Sequence, residues 1–170
     1  MVYGDSLTKG WKAPRFYITE AYSRAVPQKL KNAILYGKLE SVLERAKHII
    51  ILLGTNLLET KANAEVINEL ITTAQMVQAR YRQVSIHVGS LLPFVGHSEI
   101  LQNAKIPIIN AQLRKITQKI KINYCDINKA LTKNGLPKSR DNWNNHGLHL
   151  TQRGNTRVKH YLIEYCKNLV

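Results

Sequence analysis

Apolar residues in this chain fall into two patterns, short unbroken runs and longer stretches with helical spacing. The clearest run covers residues 48–53 and consists of isoleucines and leucines after one histidine. Such a run is typical of a strand that is buried on both faces of a parallel sheet. Shorter stretches rich in apolar residues predict further strands at residues 2–3, 33–36 and 84–88, and the alternation of charged and apolar residues at 121–127 predicts a fifth.

The intervening stretches carry apolar residues every three or four positions, as one buried helical face requires. The longest of them, residues 62–79, repeats in this way from Ala62 to Val77. The same spacing predicts helices within residues 16–30 and over 39–46, 107–119 and 151–170, and a polar loop follows at 134–145. Strands that alternate with helices indicate a three-layer α/β/α sandwich whose five-stranded sheet is mainly parallel.

The chain is long enough for one domain with a substantial core, which we place at residues 1–170. Because the first strand starts almost at Met1, a domain cut from a longer protein is also compatible with the sequence. No apolar stretch approaches the ~18 residues of a membrane span, and no secretory signal pattern precedes the first strand. Cys125 and Cys166 are too few for a disulfide framework, so we expect reduced thiols and an intracellular, cytoplasmic setting.

The charge balance narrows the range of partners. Lys and Arg number 25 against 11 Asp and Glu, which gives a formal net charge of +14, and the basic residues are spread along the chain. A field of this sign favours contact with RNA, DNA or an anionic membrane. A basic surface that only keeps the protein soluble is the alternative. The composition leaves the oligomeric state open.

A candidate nucleophile lies in the turn that follows the first predicted strand. The sequence Gly4-Asp5-Ser6-Leu7 places a serine hydroxyl at the carboxyl end of that strand, where backbone N–H groups can stabilise an oxyanion. Ligands bind beyond the carboxyl ends of parallel strands, so that edge of the sheet is where a site is expected. A cap of the following helix is the alternative role for Ser6.

Three residues distant in sequence are expected at the same edge. Gly37 follows the strand predicted at 33–36 and can offer a backbone N–H to the anion. Asn56 follows the run at 48–53 and can offer a side-chain amide, and His149, just before the last helix, is the candidate general base. The alternatives are turn roles for Gly37 and Asn56 and a buried structural role for His149.

Four motifs, taken in order, resemble the blocks of the SGNH hydrolases, also called the GDSL esterase/lipase family: Gly4-Asp5-Ser6-Leu7, Gly37, Gly54-Thr55-Asn56 and His149-Leu150-Thr151. The resemblance covers nearly the whole chain. It implies a flavodoxin-like fold and a serine esterase that cleaves an acyl or acetyl ester, or a lipid, through an acyl-serine intermediate, with no cofactor and no metal. The roles it implies are nucleophile and oxyanion donor for Ser6, further oxyanion donors for Gly37 and Asn56, and base for His149.

Two positions depart from the family pattern. The acid that usually stands three residues before the catalytic histidine is replaced by His146, which cannot supply the negative charge that stabilises an imidazolium. Either His149 works with a backbone carbonyl, or another acid such as Asp141 takes that place, or the activity is low. The Asp that usually follows Asn56 is replaced by Leu57, a smaller departure because that Asp is supportive.

The basic charge and the sequence His146-Gly147-Leu148-His149-Leu150 also resemble the esterase domains in first-open-reading-frame proteins of LINE-type retrotransposons. That resemblance implies a nucleoprotein setting. The competing function is therefore a catalytically weak module that binds nucleic acid or an anionic membrane through its basic surface. The remaining histidines lack metal-ligand spacing, so no metal site is expected at His48, His87, His97 or His160.

Overall fold

The computed structural model describes residues 1–4, 19–21, 25–95, 100–133, 136–147 and 149–169. Its main sheet has five parallel strands in the order β2-β1-β3-β4-β5. They are β1 (Val2–Gly4), β2 (Thr19–Ala21), β3 (His48–Leu52), β4 (Ser85–Gly89) and β5 (Asn123–Cys125). This order is that of the flavodoxin-like folds, and the α/β class predicted from the alternating pattern is confirmed.

Helices cover both faces of the sheet. They are α1 (Pro27–Leu35), α2 (Glu40–Leu43), α3 (Asn63–Arg80), α4 (Ile100–Lys119), α5 (Asn128–Leu131) and α6 (Gln152–Lys167). Ile49 and Ile51 of β3 pack with α1, α3 and α4 in one core, and Ile50 and Leu52 pack with α5 and α6 in a second. Because successive strand residues point to opposite faces, one unbroken apolar run supplies both cores. In the described parts of the chain, no helix is long and apolar enough to cross a membrane.

The second strand of the sequence prediction is wrong. Residues 33–36 form the end of α1 and the turn beyond it. Pro27 begins this helix at a position that favours proline, and Leu30, Ala33 and Ile34 bury one face of it. The strand that precedes β3 in the chain is instead β2, which lies in a stretch predicted to be partly helical and pairs with β1.

The long helices predicted from the sequence are present in the structure, although their boundaries differ. The helices predicted at 62–79 and 151–170 are α3 and α6, and Thr151 caps α6 by accepting a hydrogen bond from the Gly154 N–H. Helix α4 starts at Ile100, ahead of the predicted 107, and keeps Pro107 in its interior. The predicted loop at 134–145 contains part of a short antiparallel hairpin, β6 (Thr132–Lys133) with β7 (Leu136–Pro137), and a 3₁₀ turn at Arg140–Asn142.

A chain of polar rings lies between the sheet and the end of α6. The His48 Nδ1 and His87 Nε2 atoms are 3.1 Å apart, and His87 Nδ1 is 2.9 Å from the Tyr165 hydroxyl. His87 is almost fully buried, with 1% of its surface exposed. Burial, with the nearby His48 as a smaller cause, lowers the pKa of His87 to about 4. The His87 ring is therefore neutral in the folded protein at neutral pH.

Mild acid should destabilise the fold through His87. Its pKa is lower in the folded chain than in the unfolded chain, so the unfolded chain binds more protons between about pH 6.5 and pH 4. Stability is therefore present above pH 6.5 and is lost as the pH falls, by at most about 3 kcal/mol. Urea unfolding at pH 7.0 and 4.5 should show this loss in wild type and in His160→Gln, an exposed control on α6. His87→Gln has no group at position 87 that can be protonated, so it should lose less stability between pH 7.0 and 4.5. A loss equal to that of wild type would show that groups other than His87 cause the effect.

Candidate active site

Two of the predicted motifs begin at or follow the carboxyl ends of the neighbouring strands β1 and β3. Gly4 ends β1 and is paired with Leu52 of β3 on one side and with Ala21 of β2 on the other. Ser6 follows two residues later and, with Asp5, lies outside the described residues, so its role stays a prediction. In the sheet the end of β1 lies between the ends of β2 and β3, and Asn56 belongs to the segment that leaves β3.

Asn56 lies at this edge, in the 3₁₀ turn Thr55–Leu57 that follows β3. Gly54 precedes the turn with a φ of +113°, and a Cβ there would lie 3.0 Å from Leu91 and 3.1 Å from Leu70. The backbone conformation therefore favours glycine, and any other residue here would also have to push the ends of two leucine side chains aside. The Asn56 side-chain N–H donates to the Ala25 carbonyl oxygen at 2.9 Å, which leaves its second N–H for another acceptor.

Leu57, which replaces an Asp of the family pattern, belongs to the core. It is buried in the same cluster as Leu58 and Leu70. A carboxylate at this position would have to leave water, whereas leucine fills the space without that penalty. The substitution is thus explained by packing beneath Asn56.

The structure contradicts the placement of Gly37. Gly37 follows helix α1, and its N–H donates to the Ile34 carbonyl oxygen at 3.1 Å in the turn that ends the helix. Its φ of +67° explains the glycine. Helix α1 starts beside Asn56 and runs back toward the start of β3, and the next helix is tied to the end of α3 by the Arg80–Glu40 ion pair at 3.2 Å. Gly37, at the far end of this nine-residue helix, is therefore separated from Asn56 by the helix length, roughly 13 Å.

His149 lies in an exposed loop whose backbone is held by hydrogen bonds between residues of the loop itself. Its carbonyl oxygen accepts from the Asn144 N–H at 2.8 Å, and its own N–H donates to the Asn144 side chain at 3.3 Å. Trp143 and Leu150 form an antiparallel bridge on either side. The His149 side chain is exposed, in contrast to the buried structural role that was the alternative. The loop thus presents the imidazole to solvent on a short, hydrogen-bonded turn.

The loop is also tied to the segment that leaves β4. The buried Trp143 indole donates to the Pro93 carbonyl oxygen at 3.0 Å, and the Val95 N–H donates to the Gly147 carbonyl oxygen at 2.9 Å. The Arg140 guanidinium spans both parts, donating to the carbonyl oxygens of Val95 at 2.7 Å and Asn145 at 3.1 Å. Because residues 90–95 leave the carboxyl end of β4, these bonds hold the histidine loop over that edge.

Two asparagines of α4 fix the segment from the other side, and sequence reasoning missed them. Asn110 exchanges two hydrogen bonds with the backbone of Leu91, at 2.8 and 3.0 Å. Asn103 does the same with Phe94, both at 2.8 Å. The two lie seven residues apart, close to two helical turns, on the side of the helix that also carries the buried Ile106 and Ile109. Asparagines within an otherwise apolar helical face were the available signal.

Neither candidate for the orienting acid is supported by a contact to His149. The Asp141 carboxylate lies 3.2 Å from the Arg153 guanidinium and is largely exposed, while its carbonyl oxygen accepts from the Thr151 hydroxyl at 2.6 Å. His146 is exposed in the same turn as Gly147. Among the described residues, no cluster of three or more His, Cys, Asp or Glu side chains is arranged to hold a metal ion.

The sequence and the fold were compared with known proteins. Residues 2–157 match the model of the GDSL-like lipase/acylhydrolase family, a span that runs from before Ser6 to beyond His149. No curated protein matches the sequence significantly. The fold is similar to that of a GDSL-like lipase from Bacteroides thetaiotaomicron, with a TM-score of 0.76 and 18% identity over 99% of this chain and 87% of the other.

Two further solved structures are similar over nearly the full length of both chains. A carbohydrate acetylesterase from Sinorhizobium meliloti has a TM-score of 0.68 and 18% identity, over 99% of this chain and 98% of the other. An aryl esterase from M. smegmatis has a TM-score of 0.66 and 18% identity, over 99% of this chain and 98% of the other. At these identities the likeness shows a shared fold.

Proposed function

Because the chain belongs to the GDSL-like lipase/acylhydrolase family, we propose that it is a serine esterase acting on carboxylic esters with a short acyl or acetyl group. The observation that carries the proposal is the family match over residues 2–157, which includes both Ser6 and His149. It is supported by Asn56 at the carboxyl edge and by the hydrogen-bonded loop that carries His149. The retrotransposon resemblance stays a prediction, since the solved structures described above are bacterial.

In the proposed reaction, His149 takes the proton of the Ser6 hydroxyl while the serine oxygen attacks the ester carbonyl carbon. The Ser6 N–H and the second side-chain N–H of Asn56 stabilise the resulting oxyanion. His149 then returns the proton to the departing alcohol as the carbon–oxygen bond breaks, which leaves an acyl-serine. Water, activated by the same histidine, cleaves the acyl-serine and releases the acid.

Gly37 is left out of this scheme because it lies at the far end of α1 from Asn56. A backbone N–H from the connection between β2 and α1 replaces it in the proposal. The Asn56–Ala25 hydrogen bond brings the described end of that connection beside the candidate donor amide.

We propose further that Ser6 and His149 act as a dyad, with a slower turnover than an enzyme with an orienting acid has. The support is His146 at the usual acid position and the engagement of the Asp141 carboxylate with Arg153. An imidazolium without a neighbouring carboxylate is less stable in the transition state.

Hydrolysis of p-nitrophenyl acetate tests the proposal. Wild type is expected to turn the ester over, and Ser6→Ala is expected to fall to the rate of buffer alone, with an unchanged unfolding midpoint. Thr156→Ala, an exposed position on α6, serves as the matched hydroxyl-bearing control and should keep the wild-type rate. Turnover by Ser6→Ala at the wild-type rate would refute the serine mechanism.

A further inference from the structure

An open groove runs along β5, between α4 and α6, away from the candidate active site. β5 pairs with β4 alone among the described strands, so its other edge faces the groove. Three cationic residues and three tyrosines contribute to the lining: Arg114, Lys121, Lys129, Tyr124, Tyr161 and Tyr165. A concave surface of this composition is not explained by the proposed esterase chemistry.

The groove is electropositive. Lys121, Lys129 and Arg114 are all exposed. Asp126 is the single acid among the described lining residues, and its carboxylate forms an ion pair with Arg114 and lies 4.0 Å from Lys129. Three cations against one anion leave the groove positive, on a chain whose formal net charge is already +14. The charge of the groove therefore selects an anionic ligand.

Aromatic rings sit beside these cations. The rings of Tyr161 and Tyr165 are stacked, with centroids 6.4 Å apart and an angle of 15° between their planes. Arg114 lies over the ring of Tyr124, at 5.2 Å from its centroid. Burial raises the pKa of Tyr161 to about 12, so its ring carries no charge at neutral pH. The three tyrosines are half-buried and leave part of each ring accessible from the groove.

We propose that this groove binds single-stranded nucleic acid, with Lys121, Lys129 and Arg114 contacting phosphates and Tyr161 stacking on a base. Interleaved cations and aromatic rings are the combination that binds unpaired strands without sequence readout. An unpaired base can enter the groove and reach a recessed ring, whereas bases in a duplex are already stacked on each other. A flat membrane surface would meet the lysines but not the rings within the groove.

The groove and the candidate esterase site are independent. Ser6 follows β1, and β3 and β4 separate that strand from β5. With strands spaced about 4.8 Å apart, β1 and β5 lie roughly 14 Å apart across the sheet. The described lining of the groove contains no residue of the loop that carries His149. Failure of either proposal therefore leaves the other standing, and groove variants should keep the wild-type rate of ester hydrolysis.

Fluorescence anisotropy with a 5′-labelled twelve-nucleotide oligouridylate, read over a series of salt concentrations, tests the binding. The double variant Lys121→Gln/Lys129→Gln should weaken binding about tenfold and lower the slope of log affinity against log salt by about 1.4, the share of two phosphate contacts. Tyr161→Leu should weaken binding about fivefold through lost stacking, and Tyr161→Phe should not.

The control is Lys38→Gln/Arg45→Gln, which removes two exposed cations near α1 and α2. It should leave the affinity within twofold of wild type. An equal loss in the control and groove pairs would overturn the proposal, because the binding would then be diffuse. So would tighter binding of a duplex of equal length, an unchanged affinity in Tyr161→Leu, or groove-dependent capture by phosphatidylserine vesicles in the absence of oligouridylate binding.

Discussion

Replacing His149 with alanine is expected to lower kcat for p-nitrophenyl acetate by about a thousandfold, within the range that a positioned general base contributes. The effect follows from the proposed role, because Ser6 would lose the group that accepts its proton. His149 is exposed, and its hydrogen bonds to the described part of the chain are made by its backbone, so removal of the imidazole should not disturb the loop. KM should change little, since the lost interaction belongs to the transition state.

His160→Ala is the matched control for this variant, since His160 is an exposed histidine on α6. It should keep the wild-type kcat, and both variants should keep the wild-type unfolding midpoint. A kcat for His149→Ala within twofold of wild type would contradict the role of His149 as the base. A lowered unfolding midpoint in His149→Ala would instead assign the histidine a structural role.

His146→Asp tests what orients His149. The substitution restores the acid of the family pattern, three residues before the base and within the same turn. Because loss of such an acid lowers kcat about ten-thousandfold in a serine protease, a gain of tenfold or more is expected in kcat here. His146→Asn, of the same size but uncharged, should show no gain. Equal rates for the two variants would mean that a carboxylate at this position does not reach the imidazole.

Gly154→Ala is expected to destabilise the fold by about 1–3 kcal/mol, as overpacking does when a backbone atom stands in the way. A Cβ at Gly154 would overlap the Asn142 carbonyl oxygen and lie 3.0 Å from the carbonyl carbon. Helix propensity alone predicts the opposite sign, a gain of up to about 1 kcal/mol for alanine within a helix. Urea unfolding of the variant distinguishes the two effects. A lower free energy of unfolding than in wild type indicates overpacking, and a higher one indicates helix propensity.

The same contact links Gly154 to the histidine loop. The Asn142 carbonyl oxygen accepts from the Thr151 N–H at 2.9 Å, so displacing it would also disturb the N-cap of α6. Arg157→Ala is a suitable control on the same helix, since it lies outside this contact. It should change the free energy of unfolding by less than about 0.5 kcal/mol. A Gly154→Ala protein as stable as wild type would show that the backbone at Asn142 can move aside with no loss of free energy of unfolding.

Much of the fold follows from local pattern. The run at 48–53 predicted β3, since an unbroken β-branched and leucine run is typical of a strand buried on both faces. The repeat of apolar residues every three or four positions at 62–79 predicted α3, because this spacing gives a helix one buried face. The stretch at 33–36 misled because Leu35 and Tyr36 extend the buried Ala33 and Ile34 into an apolar run, although both are exposed at the end of α1. Its three- and four-residue spacing back to Leu30 was the better guide.

The candidate site was predictable in part, for a physical reason. Asn56 and His149 stand immediately beside strong local features, the end of β3 and the cap of α6, so their placement follows from the elements. The position predicted for Gly37 depended on a strand at 33–36, and these residues form the end of α1 and the turn beyond it. The contacts that fix the histidine loop join groups far apart in sequence, such as the Arg140 guanidinium and the Val95 carbonyl oxygen, 45 residues away. Residue types do not reveal such contacts, because any residue offers the same carbonyl.

The proposed mechanism requires an activated serine at position 6. A fluorophosphonate probe reacts covalently with such serines, and mass spectrometry of the digested protein locates the adduct. We predict one adduct on Ser6 in wild type, slower labelling in His149→Ala and none in Ser6→Ala. An adduct on another residue would contradict the proposed mechanism. So would wild-type protein that is labelled no faster than Ser6→Ala.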